Sequence, residues 1–171
     1  MKRYFLAIVL AIFSIGSLSA QKFAYVDTDY ILSKIPEFND AQAQLDESAA
    51  LWQKEIEAKF SEVDKLYKDY QANKVLYPEE MRQRKEEEIL NKEKEIKNYQ
   101  QAKFGTEGEL YKKRQELVKP IQERVYNAIQ DVAEKNNYAI IFNKSDGVTM
   151  IYTSTKYDIS DDVLDNLGYS Y

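Results

Sequence analysis

The stretch AQAQLDESAALWQKEIEAKFSEVDKLYKDYQANKVLYPEEM (residues 41–81), continued by RQRKEEEILNKEKEIKNYQQAKFGTEGEL (residues 82–110), decides the fold. Apolar residues recur seven apart in the first half, at Leu45, Trp52, the pair Lys59/Phe60 and Leu66. They recur again in the second half, at Ile89, Ile96, the pair Lys103/Phe104 and Leu110. A repeat near 3.5 residues marks helices that pack along a narrow seam. The one strong break between the halves falls at residues 73–81, around Pro78. Folding the chain there into antiparallel helices of equal rise makes opposing positions sum to about 155. Leu66 then meets Ile89, Trp52 meets Phe104 and Leu45 meets Leu110, so one turn brings two independent repeats into register. The predicted seam is Leu45, Trp52, Phe60, Leu66, Ile89, Ile96, Phe104 and Leu110.

The first helix is expected from about residue 37 to about residue 76, a rod of roughly 60 Å. Its outer face is Lys, Glu, Asp and Gln, with acid-to-base pairs four apart such as Glu55/Lys59 and Asp64/Lys68, the pattern of a solvated helix face. At the tip, Leu76 and Met81 read as a plug closing the seam; the alternative leaves Val75, Leu76 and Tyr77 exposed to a partner. Pro78 suits the first turn of the second helix, with Glu79 and Glu80 at its positive end. That helix is expected to reach about residue 137 and carries three flaws, Gly105, Gly108 and Pro120. Each glycine weakens a helix by about 1 kcal/mol relative to alanine, and a proline removes a helical hydrogen bond and kinks the rod. The glycines read equally as a bend or as room for Trp52 to approach. Beyond Pro120 the apolar stripe widens to Ile121, Val125, Ala128, Ile129 and Val132, and Asn136 and Asn137 end the helix.

Residues 138–143 (YAIIFN) and 148–153 (VTMIYT) read as a β-hairpin around the turn at residues 144–147. Ser160 is expected to cap a last helix over residues 161–167, with Asp161 and Asp162 in its first turn and Gly168 after its end. The acids of residues 158–165 lack the glycine turn and terminal glutamate of a calcium loop. Near the start, residues 22–27 (KFAYVD) read as a strand with no plainly polar face, hence one covered on both sides. Residues 29–34 form a short helical turn stopped where Pro36 restricts Ile35. Asp27 and Asp29 read as turn and cap residues, the alternative being a cation site.

Lys2 and Arg3, the apolar run of residues 4–15 and the small residues 16–20 compose a secretory signal, cut after Ala20 or, alternatively, Ser19. The run is short for a membrane span, although an uncleaved anchor is the alternative. The protein has 171 residues with 24 basic and 29 acidic side chains; losing Lys2 and Arg3 takes the net charge from −5 to −7. Such a chain repels phosphate backbones, which argues against nucleic acid as a partner. It has no cysteine, so no disulfide framework supports an exported fold. It has no histidine, the usual metal ligand and commonest general base. No nucleophile, base and pocket converge, so no enzyme, cofactor or metal site is expected. The residues outside the hairpin are few enough to make a lone core marginal, so assembly with sister copies is expected.

The order of exported strand, long helical hairpin, β-hairpin and short capped helix resembles the Skp/OmpH family of periplasmic chaperones. The resemblance rests on FAYVDTDYIL (residues 23–32), KPIQERV (residues 119–125) continuing to YAIIF (residues 138–142), and YDISDDVL (residues 157–164). It implies an α+β fold: a coiled-coil-like arm, residues 41–120 with its tip near 73–81, projecting from a small β body of residues 21–40 and 121–171 that assembles as a homotrimer. The body would use Phe23, Tyr25, Val26, Ile140, Phe142, Met150 and Tyr152. The function implied is an ATP-independent periplasmic holdase that keeps unfolded outer-membrane proteins in a cavity between the arms. Tyr70, Tyr99 and Tyr111 off the seam, with Leu76 and Tyr77 at the tip, are the candidates for client contact. The best-known member is strongly basic and this chain is acidic, with Lys112-Lys-Arg114 its nearest basic run, so lipopolysaccharide binding is not carried over. The rival reading is a structural or adaptor protein of the envelope whose hairpin docks one specific partner.

Overall fold

The structure, a computed structural model, describes residues 22–145, 147 and 150–169. The signal segment expected at residues 1–20 lies outside the described residues, as do Val148 and Thr149. In chain order the elements are β1 (Lys22–Val26), α1 (Thr28–Ser33), α2 (Pro36–Asn73), α3 (Glu79–Phe104), α4 (Glu109–Leu117), α5 (Lys119–Asn136), β2 (Tyr138–Asn143), a 3-10 turn (Thr155–Tyr157) and α6 (Ser160–Asn166). The fold is α+β, dominated by long helices. Two compact units are present: Leu32–Tyr126, and the described residues before and after it.

In the helical unit, Ile35 is extended, as a residue before proline must be, and Pro36 opens α2 at its first position. The α2/α3 hairpin turns where the sequence breaks. Pro78 sits just before α3, not inside its first turn, and its carbonyl accepts the Met81 and Arg82 amides at 3.0 Å each. Across the hairpin Tyr70 donates to Glu86, Tyr99 donates to Glu55, Lys92 reaches Glu62 at 3.2 Å, and the Trp52 and Phe104 rings meet edge-to-face at 6.1 Å. Each of these pairs sums to about 155, the register expected of equal-rise antiparallel helices.

The seam is fuller than the seven-residue repeat showed. Ile56, Val63, Tyr70, Ile89 and Ile96 form its buried cluster, with Leu66, Tyr77 and Tyr99 packed against it. These define alternating steps of three and four residues, 49-52-56-59-63-66-70 on α2 and 85-89-92-96-99-103 on α3, the a and d positions of a coiled coil. In that frame Lys59 and Lys103 take the seam positions. Phe60 and Phe104 stand beside it and are exposed, which corrects their assignment to the seam. Leu76 and Met81 are also exposed; Tyr77, not they, closes the distal end.

The second arm is three helices. A side chain on Gly105 would collide with the Gln101 carbonyl oxygen, and one on Gly108 would lie 2.8 Å from the Lys103 carbonyl oxygen. The close approach that requires glycine is therefore to the last turn of α3 itself, not to Trp52. Beyond this break Lys113 reaches Ser48 at 2.7 Å and Arg124 reaches Glu37 at 3.6 Å. Both pairs sum to about 161, so at equal rise Leu45 lies level with about residues 116–117 and not with Leu110. The next break, at Val118, precedes Pro120, which lies in the first turn of α5 where its missing N–H costs no hydrogen bond.

In the other unit, Ala128 and Val132 of α5 are buried, and Asn137 ends the helix with φ 56°. β2 pairs in parallel with β1, Phe23 beside Ile140 and Tyr25 beside Phe142. The expected β-hairpin is thus corrected: of its second strand, the described residues Met150–Thr153 are not strand. Asp27 caps α1, accepting the Tyr30 amide at 3.0 Å, and also accepts the Ser145 hydroxyl at 2.9 Å. The Tyr30 bond, then Ser145 and Lys144, hold its carboxyl below the usual range against the opposing effect of burial. Ionised Asp27 therefore stabilises above its unfolded pKa, and that contribution fades as pH falls through the depressed folded value. Ser160 does not cap α6. Its buried hydroxyl accepts the Asp27 amide at 2.9 Å and donates to Asp158 at 2.6 Å, tying β1 to the start of α6. Gly168, at φ 88°, follows α6 as expected.

Ile96→Ala should lower stability by about 2–4 kcal/mol, read from urea unfolding by circular dichroism, because Ile96 is buried in the seam. Phe60→Ala, outside it, should change stability by no more than about 0.5 kcal/mol.

Candidate functional site

Two surfaces stand out. On the sheet, alternation divides the side chains between two faces. Ala24 and Val26 turn inward and are buried, whereas Phe23, Ile140 and Phe142 line a face left substantially open. That face borders a cleft of about 740 Å³ lined among others by Phe23, Tyr25, Phe142, Met150, Tyr152 and Tyr157. Tyr152 is 85% exposed and Ile151 still more so. Of the residues expected in an assembly body, Phe23, Ile140, Phe142 and Tyr152 are available to another copy and Met150 is half-buried. Val26 and Tyr25 belong to the core of the single chain. The strand expected to be covered on both faces is covered on the Ala24/Val26 face and, on the other, at Tyr25 but not at Phe23.

The second surface is the outside of the hairpin, where Leu51, Phe60, Tyr67, Val75, Leu76, Leu90, Phe104 and Tyr111 are exposed. Among the described residues no helix is long and apolar enough to cross a membrane, and no cluster of acidic side chains is placed to hold a metal ion.

A family model described as Outer membrane protein (OmpH-like) matches residues 22–167. The chain belongs to the OmpH-like family. No curated protein matches it. Its fold is similar to that of a Caulobacter crescentus protein described as an outer membrane chaperone (OmpH-like), with a TM-score of 0.67 and 12% identity over 91% of this chain and 90% of that one. At that identity the likeness speaks for the fold.

Within this OmpH-like hairpin the expected client-contact residues part company. Leu76, 80% exposed, and Tyr111 are open to solvent. Tyr70 is buried in the seam, and Tyr77 packs on the same cluster. Tyr99 is held from three sides: its hydroxyl donates to Glu55, and the Lys59 and Lys103 ammonium groups each lie 5.3 Å from its ring centre. Tyr70, Tyr77 and Tyr99 are thus seam residues, a correction that follows from the a and d frame. Leu51, Phe60, Tyr67 and Leu90 were missed as surface residues. The signal for them is an apolar residue outside that frame, visible once Ile56, Val63, Ile89 and Ile96 anchor it.

The Glu55 carboxylate, by accepting the Tyr99 hydrogen bond, pushes the phenol from 10.0 up to about 12, with desolvation and charge repulsion acting in the same direction. A raised folded pKa means this contact contributes fully below the unfolded value and is lost as pH rises through the folded one. In alkaline spectrophotometric titration, the difference between the wild type and Tyr99→Phe should show one phenol ionising near 12; Glu55→Gln should return it toward 10.

Proposed function

We propose that this protein is an ATP-independent periplasmic holdase for unfolded outer-membrane proteins, working as a homotrimer. Membership of the OmpH-like family and the likeness to the Caulobacter crescentus protein support the chaperone reading. The expected signal segment supports export. The observation that carries the mechanism is the hairpin itself: a thin seam with large apolar side chains on its outside. Several weak apolar contacts on one arm, multiplied over three arms, slow aggregation by raising effective concentration while leaving each contact reversible. Assembly is supported by the open sheet face, because the described residues leave Phe23, Ile140 and Phe142 substantially exposed.

Light scattering of the protein cleaved after Ala20 should give three times the chain mass. That species should keep several unrelated urea-diluted outer-membrane proteins in solution at near-stoichiometric trimer. Phe142→Glu should lower the mass and weaken suppression by at least about tenfold, as loss of a central interface anchor does. A monomer that leaves clients to aggregate, or capture of one folded partner alone, would defeat the holdase in favour of an adaptor.

A further inference from the structure

The hairpin has two unlike sides. On one, Glu55 reaches Tyr99 and Glu62 reaches Lys92, and Asp69, Glu88 and Glu95 continue the same rows by seven-residue spacing. On the other, Glu86 reaches Tyr70. The positions of α2 and α3 that share this second side hold Phe60, Tyr67, Leu90 and Phe104, which are 47%, 50%, 63% and 40% exposed. The same side carries Glu57, Asp64, Glu86 and Glu93; Lys97 and Lys68, the latter paired with Asp64 at 2.6 Å, are the opposing charges, which leaves the acids in excess.

We infer that this side is a docking surface for an extended, unfolded segment whose apolar residues alternate with lysine or arginine. The inference rests on the holdase reading and names the surface and client chemistry within it. In the register of the hairpin, Phe104 lies level with residue 51 and Tyr67 sixteen residues further on, so the four side chains span about 24 Å. That is the length of about seven residues of extended chain. The charge selects the occupant. A basic segment is attracted to these carboxylates, whereas a second hairpin laid on this side would set Glu57, Asp64, Glu86 and Glu93 against like charges. Phe104 also rests on Trp52, which fixes its ring for contact.

The test is fluorescence anisotropy of the cleaved protein with a labelled unstructured peptide bearing Phe or Leu at alternate positions and Lys between, beside a twin with Glu for Lys. The Lys peptide should bind at least about tenfold tighter than the Glu peptide. Phe60→Ser/Tyr67→Ser/Leu90→Ser should cost at least about tenfold, with unchanged circular dichroism, while Leu51→Ser leaves affinity unchanged. Glu57→Lys/Glu93→Lys should shift the preference toward the Glu peptide, an independent reading should the triple variant fold poorly. Equal affinity for the two peptides, full binding by the folded triple variant, or an equal loss in Leu51→Ser overturns the inference. So does a triple variant that loses oligomer mass and keeps peptide affinity, because the side is then covered by a second copy. Wild type that binds the peptides as expected yet leaves outer-membrane proteins to aggregate removes the holdase reading alone. Suppression that survives loss of the three side chains removes this surface alone.

Discussion

Lysine in the seam is the constraint on which the hairpin depends. At the register of about 155, the layers from the tip inward pair Tyr70 with Lys85, Leu66 with Ile89, Val63 with Lys92, Lys59 with Ile96, Ile56 with Tyr99 and Trp52 with Lys103. Four of these layers hold a lysine, whose stem covers apolar surface while its ammonium must leave the seam. Lys85 goes to Glu88 at 2.8 Å, Lys92 to Glu62 at 3.2 Å, and Lys103 to Glu109 at 2.6 Å while lying 4.8 Å from the Trp52 ring centre. These bonds raise the Lys85 and Lys92 pKa values, the direct hydrogen bond being the larger cause in each. The pairing is specific because each ammonium has a place to go, and it is shallow because so little is buried.

The same lysines explain what the sequence concealed. The repeat of seven through Leu45, Trp52 and Leu66 locates the turn and the register, because both depend only on period and on the break at Pro78. It does not say which of two adjacent residues enters the seam. At Lys59/Phe60 and Lys103/Phe104 hydrophobicity favours the aromatic, whereas the frame anchored by Ile56, Val63 and Ile96 favours the lysine. Geometry prevails because a long stem fills a seam position and still reaches water. The helix ends at Pro36, Asn137 and Gly168 were legible because their signals are local. The pairing of β2 was not. Turn residues at 144–147 speak only for neighbours in sequence, while β1 lies more than a hundred residues away.

The two surfaces complete different parts of the proposed cycle. On the sheet, Phe23, Ile140 and Phe142 offer a contiguous face suited to lasting contact between copies. On the hairpin the exposed groups are scattered and separated by charge. That favours contacts that form and release singly, as a holdase working without ATP requires.

The interruption at Gly105–Gly108 separates two stretches of helix pairing whose offsets differ by about six residues. It works as an expansion joint: supercoil phase accumulated on the tip side ends at the glycines and is not transmitted through the remainder of the limb. Reach can therefore change by whole heptads, added equally to α2 and α3, without re-phasing α4 and α5. Each heptad added to both helices would lengthen this limb by about 10 Å while the inboard helices keep their alignment.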